Sequence, residues 1–84
     1  MATIYDPAYK LIVARVREAR QCSGITQAQA AAKLRRPQSY ISRVEAGQHR
    51  IDILEMLAFA RIYSQPLEFF IQDVAGTPRK RSRG

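Results

Sequence analysis

Apolar residues recur three and four positions apart along much of the chain, which is the spacing of helices that bury one face. The first such segment follows Asp6-Pro7, a helix-capping residue and a proline suited to the first helical turn, and it stops before Gly24. This pattern predicts a helix over about residues 7–22. Its inward face carries Leu11, Ile12, Val16 and Ala19.

Two short helices joined by a tight turn are predicted between Thr26 and Gly47. Thr26 is a second capping candidate, and the alanine-rich segment after it favours a helix whose small side chains let a neighbour approach closely. Pro37 disfavours helical geometry at the residue before it, so this helix ends at Arg35–Pro37. The next helix runs over about residues 38–46. A helix pair of this shape fits the major groove of DNA.

The remaining apolar segments predict two more helices. Asp52 and Glu55 have the spacing of a capping box and open a helix over about residues 53–62. Pro66 opens a last helix over about residues 66–73. Because no strand pattern stands out, the sequence predicts an all-α fold.

Length and composition indicate one domain with a charged end. The chain has 84 residues, enough for one small core. We expect a folded domain over residues 1–75 and a disordered tail over residues 76–84, because the sequence GTPRKRSRG is basic and poor in apolar residues. The formal net charge is +7, and ten basic against seven acidic residues remain without the tail. This balance favours a polyanion partner, although a basic protein without such a partner is an open alternative.

Residue counts argue against several classes of protein. Cys22 and His49 are the single cysteine and histidine, which excludes an intrachain disulfide and makes a metal site unexpected. The sequence has neither a glycine-rich phosphate loop nor a carboxylate cluster, so we expect no enzyme activity and no cofactor. Apolar runs fall short of the ~20 residues of a membrane span, and no signal peptide is apparent. A cytoplasmic location without membrane contact is therefore expected.

Several short motifs stand at characteristic separations. Arg20 and Gly24 precede the pair Thr26-Gln27, and after a helix the run QSYISRVEAG follows over residues 38–47. With these motifs the chain resembles the lambda-repressor-like helix-turn-helix domains, also called the XRE or Cro/C1 family, over about residues 10–72. The resemblance implies a compact five-helix DNA-binding domain whose helix-turn-helix is formed by the second and third predicted helices.

The resemblance also implies that the helix over residues 38–46 reads bases. Three of its side chains match positions that touch base edges, namely Gln38, Ser39 and Arg43. A glutamine can pair with adenine and an arginine with guanine, each through two hydrogen bonds. The open alternatives are that Gln38 and Ser39 merely begin a surface helix and that Arg43 contacts phosphate.

Further positions are expected at the DNA backbone. Gln27 matches a glutamine that holds a phosphate at a helix N-terminus, where N–H groups and the helix dipole favour an anion; ordinary capping is the alternative. Arg36 replaces the family's apolar turn residue and either adds a phosphate contact or lies in solvent. Tyr40 either reaches DNA or is partly buried. The expected set of backbone contacts is Thr26, Gln27, Arg36, Tyr40, Ser42 and Arg50.

Two more positions have structural roles in the family. Arg20 and Glu45 match a buried arginine–glutamate pair that ties the first helix to the end of the third. Arg35 stands where the family usually has glycine in a left-handed conformation. Either Arg35 is strained by about 1 kcal/mol, or the turn differs.

An apolar strip on the last helix favours self-association. Phe69 and Phe70 are adjacent, so one can pack inward while the other stays near the surface; the alternative is that both pack in the core. We expect a homodimer interface formed by Tyr63, Leu67, Phe69, Phe70 and Ile71.

Together these features predict a sequence-specific DNA-binding transcriptional regulator. It would bind a palindromic operator as a homodimer, with half-sites about one helical turn (~34 Å) apart. The alternative is an antitoxin-type or controller protein whose main partner is another protein and which binds DNA for autoregulation. One self-complementary apolar face would favour the homodimer, whereas a second, separate patch would favour another protein partner.

Overall fold

A computed structural model describes residues 6–72, and this part of the chain contains helices and no strand. The helices are α1 (Pro7–Cys22), α2 (Gln27–Leu34), α3 (Gln38–Glu45), α4 (Ile53–Ile62) and α5 (Leu67–Ile71). The predicted all-α fold of five helices is confirmed. The expected tail over residues 76–84 lies outside the described residues, as do residues 1–5 and 73–75.

Side-chain caps fix the starts of three helices. The Asp6 carboxylate accepts a hydrogen bond of 2.8 Å from the backbone N–H two residues on. Thr26 forms a capping box with Gln29 at the start of α2, and Asp52 forms the predicted one with Glu55 at the start of α4. Each cap satisfies backbone N–H groups that the helix itself leaves unpaired.

α5 is shorter than the sequence predicts. Pro66 precedes it in an extended conformation, and Gln72 ends it with a ψ of 140°. The helix therefore spans Leu67–Ile71 rather than residues 66–73. α3 likewise ends at Glu45, one residue earlier than predicted.

Aromatic rings from α3 and α4 form the centre of the core. Phe59 is fully buried between Tyr40 and Tyr63, and its ring centroid lies 6.2 Å and 5.9 Å from theirs in near-parallel stacks. Phe70 of α5 is also fully buried and belongs to the same cluster. The core thus joins the last two helices to α3.

α2 packs closely on α3 because the residues that it turns inward are small. Ala30 and Ala31 are 0% and 3% exposed and lie in one buried cluster with Ile41 and Val44 of α3. Alanine loses no side-chain entropy on burial and lets two helix backbones approach. The result is a compact helix-turn-helix.

The expected dimer strip is wrong for two of its five residues, because they lie in the core. Tyr63 is 2% exposed and Phe70 is 0% exposed. Leu67 and Phe69 are half-buried and pack against the core, while Ile71 is half-buried at the end of the helix. So short a helix must bury most of its apolar surface to be held in place. α5 therefore presents much less apolar surface than predicted.

The turn between α2 and α3 has the left-handed geometry that favours glycine, yet it is made by an arginine. Arg35 has φ 56° and ψ 44°. Its N–H and that of Arg36 bond to carbonyls in the last turn of α2, at 3.1 Å and 3.0 Å. The turn therefore keeps the expected form and Arg35 is strained, since a side chain makes this conformation unfavourable.

We predict that Arg35→Gly stabilises the protein by about 1 kcal/mol, because glycine removes this strain. The measurement is the urea-unfolding midpoint. Lys33→Gly is the matched control: Lys33 is exposed inside α2, where glycine costs about 1 kcal/mol relative to good helix formers. A midpoint for Arg35→Gly at or below that of the wild type would contradict the strain.

Candidate nucleic-acid interface

α3 divides into a buried side and a polar, solvent-facing side. Tyr40, Ile41 and Val44 are buried. The exposed side chains between them share the opposite side of the helix and are Gln38, Ser39, Ser42 and Arg43. A helix of eight residues is ~12 Å long, and its width matches the ~12 Å of the major groove. This side, which we call the α3 polar face, carries the donors and acceptors that can meet base edges and flanking phosphates.

The C-terminal end of α3 is fixed by an ion pair with α1. The Arg20 guanidinium donates two hydrogen bonds to the Glu45 carboxylate, from Nε at 2.7 Å and from Nη2 at 3.1 Å. Its Nη1 donates to the Ile25 carbonyl at 2.8 Å. The two side chains are only 13% and 4% exposed. The hydrogen bond to Glu45 raises the pKa of Arg20 above its ordinary value despite partial burial. Arg20 is therefore charged at every physiological pH, and its three hydrogen bonds fix the orientation of its side chain.

Gln27 is attached to this ion pair. Its side-chain Nε2 donates to the Glu45 carboxylate at 3.1 Å, which connects the start of α2 to the end of α3. The same amide keeps an oxygen and a second N–H that this bond does not use. Gln27 is half-buried, and it lines one surface groove with Ser42 and Arg17. The groove places an amide and a hydroxyl next to each other beside the α3 polar face.

The N-terminal end of α3 is fixed by a second carboxylate, that of Glu55 in α4. The Tyr40 hydroxyl donates to Glu55 Oε2 at 2.8 Å, and His49 Nε2 lies 2.8 Å from the same oxygen. Arg36 Nη2 donates to it at 3.3 Å. The other oxygen accepts the Asp52 N–H of the capping box at 2.8 Å. The sequence spacing identified Glu55 as the partner of Asp52 in a capping box. It did not indicate Tyr40, His49 and Arg36, which tertiary folding brings to the same carboxylate.

Two expected backbone contacts are changed by this cluster. Tyr40 is 4% exposed and its hydroxyl is occupied by Glu55, so the prediction that it contacts DNA is wrong and the partly buried alternative holds. Arg36 is exposed but has protein partners: its guanidinium carbon lies 4.0 Å from the Tyr40 ring centroid, and the guanidinium pairs with Glu55. A phosphate contact by Arg36 would have to replace these interactions.

The remaining backbone candidates lie at the surface. The Thr26 hydroxyl accepts a hydrogen bond from the Gln29 N–H at 3.1 Å, so its side chain acts as a cap. Arg50 is exposed in the loop between α3 and α4. Tyr9 of α1 holds that loop, because its hydroxyl donates to the His49 carbonyl and accepts from the Ile51 N–H. Arg50 therefore projects from an anchored loop.

The hydrogen bonds around Glu55 alter its titration. Partial burial acts to raise the pKa of Glu55, but the bonds from the Asp52 N–H, the Tyr40 hydroxyl and His49 outweigh burial and hold the pKa below its ordinary value. Burial and the bond to Glu55 also raise the pKa of Tyr40 well above its ordinary value. At neutral pH the cluster therefore consists of a charged acceptor and a neutral donor.

Neither a membrane-spanning helix nor a group of three metal-ligating side chains is found within residues 6–72.

We call Glu55 with Arg36, Tyr40 and His49 the Glu55 cluster. We predict that this cluster makes stability fall on acidification. Because the pKa of Glu55 is lowered on folding, its charged form stabilises the protein above pH ~4.5, and this contribution is lost as the pH falls through the folded-state pKa. Glu55→Gln should lower the free energy of unfolding by about 1–3 kcal/mol at pH 7. Urea titrations measure the free energy of unfolding of both proteins, and the difference between them should shrink as the pH is lowered from 5 to 3.

Tyr40→Phe is the matched variant for this prediction. It removes one donor while keeping the ring, so its stability should depend less on pH than that of the wild type below pH ~5. If the free energy of unfolding falls with pH equally in the wild type and in Glu55→Gln, the carboxylate does not have this role.

Comparison with known proteins agrees with the helix-turn-helix fold. A family model described as a helix-turn-helix domain matches residues 11–68. The structure is similar to that of an XRE-family like protein from Pseudomonas syringae pv. tomato str. DC3000, with a TM-score of 0.73, 34% sequence identity, and coverage of 80% of this chain and 82% of that one. No curated protein sequence matches the chain. The chain belongs to the helix-turn-helix domain family, and it is an XRE-type member of this family of DNA-binding regulators.

Proposed function

We propose that the protein is a sequence-specific transcriptional regulator that reads DNA with α3 in the major groove. The observation that carries this proposal is the α3 polar face, held at both ends by carboxylates. Glu45 fixes one end of the helix to α1, and Glu55 fixes Tyr40 near the other end to α4. A reading helix that is already rigid loses little conformational entropy on binding, so more of the contact energy appears as affinity.

Base reading is assigned to three residues of this face. Gln38 and Ser39 lie in the first turn of α3, and Arg43 follows on the same exposed side. Glutamine suits adenine and arginine suits guanine, because each can form two parallel hydrogen bonds in the major groove. Serine accepts or donates and therefore selects less strongly.

Phosphate contacts are assigned to groups around the α3 polar face. Thr26 and Gln27 lie at the start of α2, Ser42 lies on the flank of α3, and Arg50 lies in the loop that Tyr9 anchors. The formal charge of +7 supports binding to a polyanion. Arg36 contributes only if it leaves Glu55, so we expect a weaker effect from it than from Arg50.

The operator is proposed to be palindromic and to be bound by a homodimer. A reading helix of eight residues covers only a few base pairs, and two copies on half-sites ~34 Å apart double the sequence that is read. We propose a cytoplasmic protein that lacks catalytic activity, since the family is typically non-enzymatic.

We predict that Arg43→Ala weakens binding to the preferred site by about 5- to 150-fold, the equivalent of ~1–3 kcal/mol, and relaxes preference at one base pair. The preferred site is first selected from a random DNA pool at physiological salt. Affinities are then measured for that site and for its single-base variants.

Arg50→Ala is the matched control, because it removes the same side chain from the loop. We expect it to weaken binding to all sequences alike and to lower the slope of log K against log salt by about 1. If Arg43→Ala and Gln38→Ala leave both affinity and sequence preference unchanged, α3 is not the reading helix.

A further inference from the structure

α4 buries one side and exposes large apolar residues on the other. Met56 and Phe59 face the core at 7% and 0% exposure. Ile53, Leu54 and Leu57 are 61%, 73% and 42% exposed, and they are the exposed large hydrophobic residues in the described part of the chain. Residues 53, 54 and 57 are one, three and four positions apart and therefore share one side of the helix. We call these three residues the α4 apolar face.

This face is unusual because the other large apolar side chains of residues 6–72 are buried or half-buried. Scattered exposed aliphatic residues need no explanation, but a contiguous patch marks a binding surface. Beside the patch runs a groove of about 260 Å³, lined by Leu34, Leu54 and Ala58 together with polar groups of the Glu55 cluster. An apolar side chain from a partner can enter this groove next to Leu54.

The charges around the α4 apolar face indicate that the partner is a second copy. Asp52 is exposed immediately before α4, and Arg61 is exposed in its last turn. If two copies of α4 pack antiparallel about a twofold axis, the acidic start of each helix lies against the basic end of the other. The two helix dipoles are then also oppositely directed, which is favourable. The face is therefore complementary to itself.

We propose that the α4 apolar face packs against the same face of a second copy and forms the homodimer interface. This inference rests on the proposed function for its homodimer, and it moves the interface from α5, where Tyr63 and Phe70 are buried, to α4. Three aliphatic side chains supply the apolar centre of an interface but less than the ~800 Å² per partner of a stable complex. The dimer is therefore weak in solution, in the micromolar range, and adjacent half-sites on DNA reinforce it.

The test is sedimentation equilibrium of the full chain without DNA, from low to high micromolar concentration. The wild type should associate reversibly to a dimer. Leu54→Glu or Leu57→Glu should raise the dimer dissociation constant at least about tenfold, because each buries a charge at the centre of the interface. Both variants should fold, since a glutamate in the first turn suits the helix dipole and one at residue 57 can pair with Arg61. Circular dichroism melts verify folding.

Ile71→Glu is the matched control. It makes the same change at a half-buried apolar residue at the end of α5, outside the α4 apolar face, and it should leave the dissociation constant unchanged. Arg61→Glu should weaken the dimer several-fold and reduce its dependence on salt, because it removes the charge opposite Asp52 of the partner subunit.

Two results would overturn the interface: a wild type that stays monomeric at high micromolar concentration, or a dimer that Ile71→Glu disrupts while the α4 variants do not. Binding of the protein to DNA that carries a single half-site needs only one copy of the chain. This measurement therefore tests the proposed reading of DNA independently of the dimer interface. Monomeric α4 variants that keep the base preference of the wild type support both. A dimer that uses α4 but shows no base preference supports the interface and contradicts the reading of DNA.

Discussion

The position of α3, the proposed reading helix, depends on the carboxylate of Glu45. It accepts two hydrogen bonds from Arg20 of α1 and one from Gln27 of α2, and it lies in the last turn of α3. One nearly buried charge thereby joins α1, α2 and α3 through a hydrogen-bond network, which favours a single arrangement of the three helices. Removing either charged partner would leave the other buried and uncompensated, a change that typically costs ~3–5 kcal/mol. The ion pair therefore fixes geometry more than it adds net stability.

A second carboxylate, that of Glu55, fixes α3 near its other end. Glu55 receives Tyr40 from α3, Arg36 from the turn and His49 from the following loop. The two acidic residues orient a face that is itself uncharged except for Arg43. Acidic groups beside a DNA-binding surface would repel phosphate if they were free. Here Glu45 pairs with Arg20, and Glu55 pairs with Arg36 and accepts further hydrogen bonds. The two carboxylates therefore make the surface rigid while repelling phosphate only weakly.

Local sequence signals identified the elements, while tertiary packing decided which sides they expose. The capping residues Asp6 and Asp52 gave the correct starts of α1 and α4, because caps act within one helical turn. The burial of Phe70 and the donors around Glu55 depend on distant segments, so spacing could not give them. α4 shows the limit most clearly: it has apolar residues all around its circumference, and its periodicity therefore did not distinguish Phe59, which is buried, from Leu54, which is exposed.

The two buried alanines of α2 have a consequence for sequence recognition. Ala30 and Ala31 are buried in the cluster where α2 packs on α3, so the small size of their methyl groups limits how far apart the two helices lie. A larger residue would push α3 away from α2, because close-packed interiors do not absorb added volume without backbone shifts. Gln27, the proposed phosphate contact, and Arg43, the proposed base contact, belong to different helices. Such a shift would therefore change the distance between the two side chains, and with it the DNA geometry that they could contact together. Residues that never approach DNA would then retune which sequences the protein prefers.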